Sequence, residues 1–329
     1  MNKKIAIIDT GINLSAKQFN IDKEQGIEIT FEDGKFITKK DISDNQGHGT
    51  MCASIIISIV GEVELVPIKI YKDMGENTSL LLIEALKRCL DMDIDLINIS
   101  LATLNYNNYD EIYRVLGLLK EQNKVVVASL HNLGQPSIPA SLDNVIGIKG
   151  ISFNGESDRF LFDKEAIIQG GFDSTPQFAL DHTGKYSLFR GNSKATAVAS
   201  GIIMKYIIER NISTVDGIIH LLSEESKDIN LDEDSIAKEF VYDNRLDNEI
   251  ESNIIKFINE VTERNISRDE ILKHSLMRKE VGLNYDNIIE LIIKIFKKYN
   301  ISMDISKITA NQICSFDSLL DLIRREGKV

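Results

Sequence analysis

The chain has 329 residues, of which 43% are hydrophobic, a size that suggests two domains or one large domain with an appendage. Its formal net charge of −12 argues against nucleic acid or an anionic membrane surface as a partner. The three cysteines are widely spaced and form no C-x-x-C pair, so we expect free thiols in a reducing compartment and no zinc site.

The first apolar run, Lys4 to Ile8, ends in Asp9-Thr10-Gly11 and is typical of a buried strand followed by a turn. It is too short for a secretion signal, and no stretch of the chain is long and apolar enough to cross a bilayer, so we expect a cytoplasmic protein. Functional groups gather at strand ends in open α/β sheets, which makes Asp9 a candidate functional carboxylate. The alternative is that Asp9 only caps the next segment.

A histidine between two glycines follows a polar stretch, residues 20–46, that we interpret as a loop or small hairpin. Gly47-His48-Gly49-Thr50 leads into an apolar segment over residues 51–60 that predicts a helix. Packing gives no reason for a histidine here, whereas imidazole suits proton transfer near neutral pH. His48 is therefore a candidate general base.

Strands and helices alternate through the next part of the chain. Strands are predicted at residues 64–71, 94–100, 124–129 and 144–149, with helices at 78–91 and 109–122. Apolar runs of this length between helices predict βαβ units and right-handed crossovers. The predicted fold class is α/β, with a doubly wound parallel sheet.

Two predicted strand ends carry groups that could contact a peptide. Residues 98–102 could bind an extended backbone by strand addition. Residues 128–134 put the Asn132 amide just past the sheet, where a carboxamide can donate to an oxyanion; such a donor is worth roughly 3–4 kcal/mol in a hydrolase site. The alternative for Asn132 is a turn-forming residue before Gly134.

Residues 191–208 predict a helix that is apolar almost all the way round and therefore buried. Ser193 would stand at its N-terminus, where free N–H groups and the helix dipole favour developing negative charge. This setting suits a nucleophile whose reaction forms an oxyanion. The alternative is a serine that simply caps the helix.

These candidates occur in the order acid, base, amide donor, nucleophile, and the sequences around them resemble the subtilisin-like serine peptidases (subtilases) over about residues 1–225. That order of triad residues is the one known for this family. A further match, to the family's substrate-pocket segment, covers residues 137–140 and 144–148. The other matching segments are residues 9–11, 47–50, 98–101, 132 and 191–196.

The resemblance implies that Ser193 is the nucleophile and that His48 acts first as general base and then as general acid. Asp9 would orient the imidazole, and Asn132 would hold the oxyanion with the Ser193 N–H. No metal and no cofactor is implied, and the calcium-binding loop of many relatives looks absent after residue 60. Asp9 is also too close to Met1 for a pro-segment. The residues implied to line the cleft are Ser100, Leu101, Ala102, Leu130 and Ser137.

The chain departs from the family pattern next to its reacting groups. The usual Thr before the nucleophile is Asn192, the usual Met after it is Lys194, a helix Pro is Ala197, and a common Gly before the oxyanion Asn is His131. Because all four chemical groups are present, we expect an active serine endopeptidase with unusual specificity, acting on a peptide or protein substrate.

Three functions remain open from the sequence. The favoured one is a narrow processing role, such as cutting a leader from a precursor peptide. The second is a non-catalytic peptide-binding relative in which Lys194 and His131 block turnover. The third is general intracellular protein turnover.

The chain past the helix predicted at residues 213–222, with Ser213 as its N-cap, is divided into an acidic linker (226–247) and a helical domain (248–329). Helices at 250–261, 286–299 and 316–325, with a loop through Ser267 and Glu270, resemble the four-helix acyl or peptidyl carrier proteins. The serine that bears phosphopantetheine in that family falls on Tyr285, so no prosthetic arm is expected. We predict a docking module for a substrate or partner enzyme; the alternative is a plain bundle that stabilises the protease.

Overall fold

The computed structural model describes residues 3–70, 77–132, 134–153, 158–212, 214–226, 248–273, 276–277, 281–284 and 287–327. The described chain forms two compact units. The first comprises residues 3–175, 179–185 and 189–226, and the second comprises 176–178, 186–188 and 248–327. Ser213, Tyr285 and the predicted linker beyond Ser226 lie outside the described residues.

Seventeen helices and strands lie in the described residues before residue 227. They are β1 (Lys4–Asp9), β2 (Asn20–Ile21), β3 (Ile27–Glu32), β4 (Lys35–Lys39), α1 (His48–Val60), β5 (Glu64–Ile70), α2 (Thr78–Leu90), β6 (Leu96–Ile99), α3 (Tyr109–Glu121), β7 (Val125–Ser129), β8 (Ile146–Ile151), β9 (Phe160–Phe162), β10 (Gly170–Asp173), β11 (Gln177–Leu180), β12 (Tyr186–Phe189), α4 (Asn192–Glu209) and α5 (Val215–Glu225).

The strands of the main sheet lie in the order β4-β3-β5-β1-β6-β7-β8-β10-β9, with β2 beside β5. All pairs from β3 through β10 are parallel, and the two edge strands β4 and β9 pair antiparallel. The α/β class with a mostly parallel sheet is thus confirmed. β1 lies between β5 and β6, so the strand order reverses at its end, the position where open α/β sheets bind ligands.

Helices cover the sheet on both faces because its central strands are apolar on both. Ala6 and Ile8 of β1 belong to a buried cluster with α2 and α3. The alternate residues Ile5 and Ile7 are equally buried and face the other side, since successive strand residues point to opposite faces. There α4 packs on α1, and a β-carbon on Gly201 would lie 2.9 Å from the Ile59 side chain. The small residues of α4 therefore permit a close contact between the two helices.

Several short elements were not predicted. The polar stretch 20–46 contains β2, which was not expected, whereas its β3–β4 hairpin agrees with the interpretation of this stretch as a loop or small hairpin. Strands β9 to β12 have three or four residues each and are too short to give a periodic signal. The helix predicted from residue 213 begins at Val215. Its N-cap is Thr214, whose side chain accepts a hydrogen bond from Gly217 N, so the prediction of Ser213 as the cap is wrong.

The second unit has its own apolar core, built from helices α6 (Asn248–Thr262), α7 (Arg268–Lys273), α8 (Ile288–Tyr299) and α9 (Phe316–Glu326). α7 occupies the segment that was predicted as a loop. α9 begins after Ser315, whose Oγ accepts from Ser318 N at 3.1 Å. Within the described ranges, no helix is long and apolar enough to span a bilayer.

Candidate active site

Asp9, which is buried, and His48, which is half-buried, form a pair at the end of β1. The His48 Nδ1 atom lies 2.7 Å from Asp9 Oδ1 and 2.9 Å from Oδ2, and Thr10 N donates to Oδ1 at 2.8 Å. A carboxylate can only accept, so Nδ1 carries a proton, and in the neutral imidazole Nε2 then keeps a free lone pair. This tautomer is the one that a general base requires.

The carboxylate also changes the acidity of the imidazole. Burial by itself lowers the pKa of His48, but the negative charge of Asp9 outweighs it and holds the pKa well above its usual value. The pair is therefore arranged to stabilise the imidazolium that forms when His48 accepts a proton.

The loop before His48 is fixed by one buried carboxylate. Asp44 accepts hydrogen bonds from Gly47 N at 2.8 Å, from Thr50 N at 3.0 Å and from Thr10 Oγ1 at 2.9 Å. Gly47 itself has a φ of 92°, a conformation that favours glycine. Sequence analysis missed Asp44; the signal was an Asp three residues before a glycine, a pattern typical of an Asx turn.

Ser193 lies in the first turn of α4 and is 8% exposed. The N-cap of this helix is Gly191, with a φ of 86°, so the capping alternative for Ser193 is wrong. Ser193 Oγ donates to the Ser100 carbonyl at 3.3 Å. This is the hydrogen bond that Oγ makes among the described residues. For its proton to pass to His48, the hydroxyl group must break this bond and donate to the imidazole instead.

Asn132 is exposed and lies beside the start of α4. Its Oδ1 atom is 3.6 Å from the point where a β-carbon on Gly191 would stand. The loop that carries it is tied to the helix, because Asn192 Nδ2 donates to Leu130 O at 2.9 Å and to His131 O at 3.2 Å. The side-chain amide and the helix N-terminus thus border the same space next to Ser193.

The model of the subtilase family (family S8 of peptidases) matches residues 2–242. The chain belongs to this family. Membership of this family makes it a serine endopeptidase. The matched range includes every site residue described above. A search of curated proteins returns no match.

Solved structures share the fold of this subtilase at low sequence identity. The epidermin leader peptide processing serine protease EpiP from Staphylococcus aureus is 18% identical, with a TM-score of 0.54 over 67% of this chain and 69% of that one. The nisin leader peptidase NisP from Lactococcus lactis is 18% identical, with a TM-score of 0.53 over 70% and 84%. A cold adapted subtilisin-like serine proteinase is 19% identical, with a TM-score of 0.53 over 68% and 84%.

Lys194 does not enter the cleft of the subtilase. Its side chain is fully buried and forms an ion pair with Asp173, which is also fully buried at the end of β10. Its side chain is therefore not available to contact a substrate, and the alternative of a non-catalytic relative stays a prediction. Sequence analysis also missed Asp173, because nothing near it in the chain indicates its partner.

The residues implied to line the cleft differ in their accessibility. Ser137 is fully buried, and its Oγ accepts from His131 N at 2.9 Å, so it supports the loop that carries Asn132 and does not present its hydroxyl to a ligand. Ser100, Leu101 and Leu130 are buried just past the ends of β6 and β7, and Ala102 is half-buried. Of these, Ser100 contacts Ser193 through its carbonyl oxygen.

Two further residues contact His48. The Phe189 ring packs edge-on against the imidazole, with ring centroids 5.5 Å apart and planes at 88°. Cys52 Sγ lies 3.6 Å from Asp9 Oδ2 and 4.0 Å from His48 Nδ1. Burial, and then the charge of Asp9, raises the pKa of this thiol.

In the described part of the chain, one group of side chains could hold a metal ion. It consists of Asp9, His48 and Cys52, whose ligand atoms all lie within 4.8 Å of one another. A metal bound there would take the His48 and Asp9 atoms that now bond each other. It would compete with the arrangement of a general base.

Proposed function

We propose that this subtilase cleaves peptide bonds through Ser193, His48 and Asp9 by way of an acyl-enzyme. The observation that carries the proposal is the Asp9–His48 pair at the end of β1, with Nδ1 2.7 Å from the carboxylate. The helix that bears Ser193 begins beside the ends of β7 and β8, where Asn192 bonds to Leu130 O and Gly150 N.

In the proposed first step Ser193 Oγ attacks the carbonyl carbon of the scissile bond while its proton passes to His48 Nε2. The negative charge that forms on the carbonyl oxygen is held by the Ser193 N–H and the Asn132 amide. His48 then gives its proton to the leaving amine as the C–N bond breaks. A water molecule, deprotonated by His48, releases the acid product and regenerates Ser193.

We assign this activity to a narrow substrate, a peptide or precursor from which one segment is removed inside the cell. Two observations support this assignment. The chain departs from the family pattern at Asn192 and Lys194, and the structures that share its fold include proteases whose described substrates are leader peptides.

The experiment is intact-mass measurement after treatment with a fluorophosphonate, on the native chain, Ser193→Ala and the control Ser223→Ala. We expect one adduct on the native chain and on Ser223→Ala, and none on Ser193→Ala. A native chain that is folded and takes no adduct would contradict the proposal, and the non-catalytic peptide-binding function would then lead.

Substrate breadth is tested separately. The native chain is incubated with a panel of unrelated denatured proteins and with a library of extended peptides. Cleavage confined to a small family of peptide sequences supports a processing enzyme. Degradation of most panel proteins would instead favour general turnover.

We further propose that the second unit recruits the substrate or a partner enzyme. Ile293 on α8 offers a site to test this, because it is 50% exposed although it is apolar. Ile293→Glu should raise KM for a protein-length precursor and leave KM for a short peptide unchanged. Ile208→Glu on α4, where the native side chain is 43% exposed, is the matched control. Equal KM values for native chain and Ile293→Glu on the precursor argue against docking at this face.

A further inference from the structure

The residue after the proposed nucleophile carries a buried charge that catalysis does not use. Lys194 and Asp173 are both fully buried, and Lys194 Nζ donates to Asp173 Oδ2. Burial lowers the pKa of Lys194, and the charge of Asp173 opposes this. Buried charges are costly unless they are paired, so such a pair next to a reacting atom needs a reason.

The Asp173 carboxylate is held in place by other hydrogen bonds in addition to its ion pair with Lys194. Its Oδ1 atom accepts hydrogen bonds from Phe153 N at 3.1 Å and from Thr175 Oγ1 at 2.6 Å and N at 3.3 Å. The carboxylate therefore has little freedom. A group bonded to it is fixed relative to the end of β10.

The first turn of α4 lacks a side-chain N-cap, which is the usual way to fix the start of a helix. Gly191 supplies no side-chain cap. Asn192 instead accepts from Gly150 N at 2.8 Å, next to the end of β8, and donates to the loop after β7. Lys194 ties the opposite side of Ser193 to β10. Ser193 thus stands between two anchored neighbours, and both of these positions are among those where the chain departs from the family pattern.

We propose that the Lys194–Asp173 ion pair is a positioning device that fixes Ser193 and its N–H group for attack and oxyanion binding. Lys194 acts through the backbone of the first turn and does not touch the substrate. The inference rests on the proposed function, since it assigns a role to the supports of the same nucleophile. It also explains why a large cationic residue beside the nucleophile is compatible with an open cleft.

The test measures fluorophosphonate labelling in single and double variants, with the inactivation rate constant kinact and the binding constant KI determined separately. Lys194→Met and Asp173→Asn each leave one buried charge without its partner. We expect kinact to fall at least about tenfold in both, with KI within about twofold of the native value. Lys87→Met breaks an exposed ion pair with Glu111 and should leave both constants unchanged.

The double variant Lys194→Met/Asp173→Asn separates positioning from stability. It has no unpaired buried charge, so its thermal midpoint should return towards that of the native chain. Its kinact should stay at least about fivefold below native, because the link between α4 and β10 is still absent. If singles fail to fold, this variant alone decides the question.

The outcomes separate failure of the inference from failure of the proposed function. A double variant that is folded and labels at the native rate would overturn the positioning role. Lower thermal midpoints with native kinact per folded molecule would overturn it as well. A folded native chain that takes no label would instead refute the proposed function.

Discussion

His48 is where the electrostatics of the site can be measured most directly. Its pKa is held well above the usual value by Asp9, against the effect of burial. Because Nε2 must be unprotonated to act as a base, the labelling rate of Ser193 should rise with pH through this raised pKa. The contribution of His48 to the free energy of unfolding should instead fall as the pH rises. A histidine with a raised folded-state pKa stabilises the fold below its unfolded-state pKa, and this contribution is lost as pH rises through the folded-state pKa.

The first prediction concerns Asp9→Asn. Loss of the carboxylate should lower the pKa of His48, measured by NMR titration of the histidine side chains. It should also reduce turnover by about 10⁴-fold, because an amide can favour the wrong tautomer. The exposed His220 on α5 provides a control, and His220→Gln should leave the His48 titration in place. An unshifted titration in Asp9→Asn would mean that Asp9 is not the source of the raised pKa.

The second prediction concerns Asn132. If its amide donates to the oxyanion, Asn132→Ala should lower kcat by about 10²- to 10³-fold, a loss of roughly 3–4 kcal/mol of transition-state stabilisation. KM should change little, because the hydrogen bond strengthens only as charge develops. Asn20→Ala in β2, an exposed position, is the control. A rise in KM with kcat unchanged would instead indicate a role in substrate binding.

At the scale of elements, the loop before α1 depends on Asp44. Its two oxygens accept from five donors, which are Thr10 Oγ1, Gln46 N, Gly47 N, Thr50 N and Thr50 Oγ1. An amide in this place can satisfy the donors on one side only, and its NH2 group would face the donors on the other. The loop carries His48, so its loosening should reach the active site.

The third prediction is therefore that Asp44→Asn lowers the free energy of unfolding by about 1–3 kcal/mol, the cost of leaving buried donors unsatisfied. Denaturant unfolding measures it, with the slope m expected to stay constant. The same substitution at Asp33, an exposed residue in the turn between β3 and β4, is the control. If Asp44→Asn were as stable as Asp33→Asn, the network would not be what holds the loop.

The elements also explain which parts of the site could be predicted from sequence. Asp9, His48 and Ser193 each follow a local signal, namely a carboxylate at a strand end, glycines around a histidine, and a serine before an apolar helix. Asp173 and Phe189 gave no such signal. Their roles depend on contacts with Lys194 and His48, residues that lie far away in the sequence. A pairing of this kind becomes visible only once the sheet is assembled.

At the scale of the whole molecule, the alternation of apolar runs and helices was enough to predict a parallel α/β sheet. The short strands β9 to β12 were not predicted, because three or four residues show no clear hydrophobic period. The carrier-protein resemblance of the second unit stays a prediction. The family match ends at residue 242, and Tyr285 lies outside the described residues.

The two units are not consecutive in the chain, and this has a consequence for stability. Phe178 in β11 is fully buried in the apolar cluster of the second unit, and its N–H donates to Ile308 O at 3.1 Å. Its neighbour Gln177 donates through Nε2 to Ser306 O. Two residues later in the same strand, Leu180 N donates to Ser54 Oγ at 2.9 Å within the first unit.

The fourth prediction follows from this arrangement. A chain ending at residue 247 loses every partner of Phe178 that residues 248–327 supply, so it should be less stable by about 1.5–3 kcal/mol, the value of burying one such side chain. Phe178→Ala should cost about 3–5 kcal/mol in the full chain and far less in the truncated one, because the partners are already missing there. Denaturant unfolding of the four proteins measures this coupling. Equal costs of Phe178→Ala in both backgrounds would mean that the first unit folds independently of residues 248–329, and that truncation can be used to assay docking without a loss of stability.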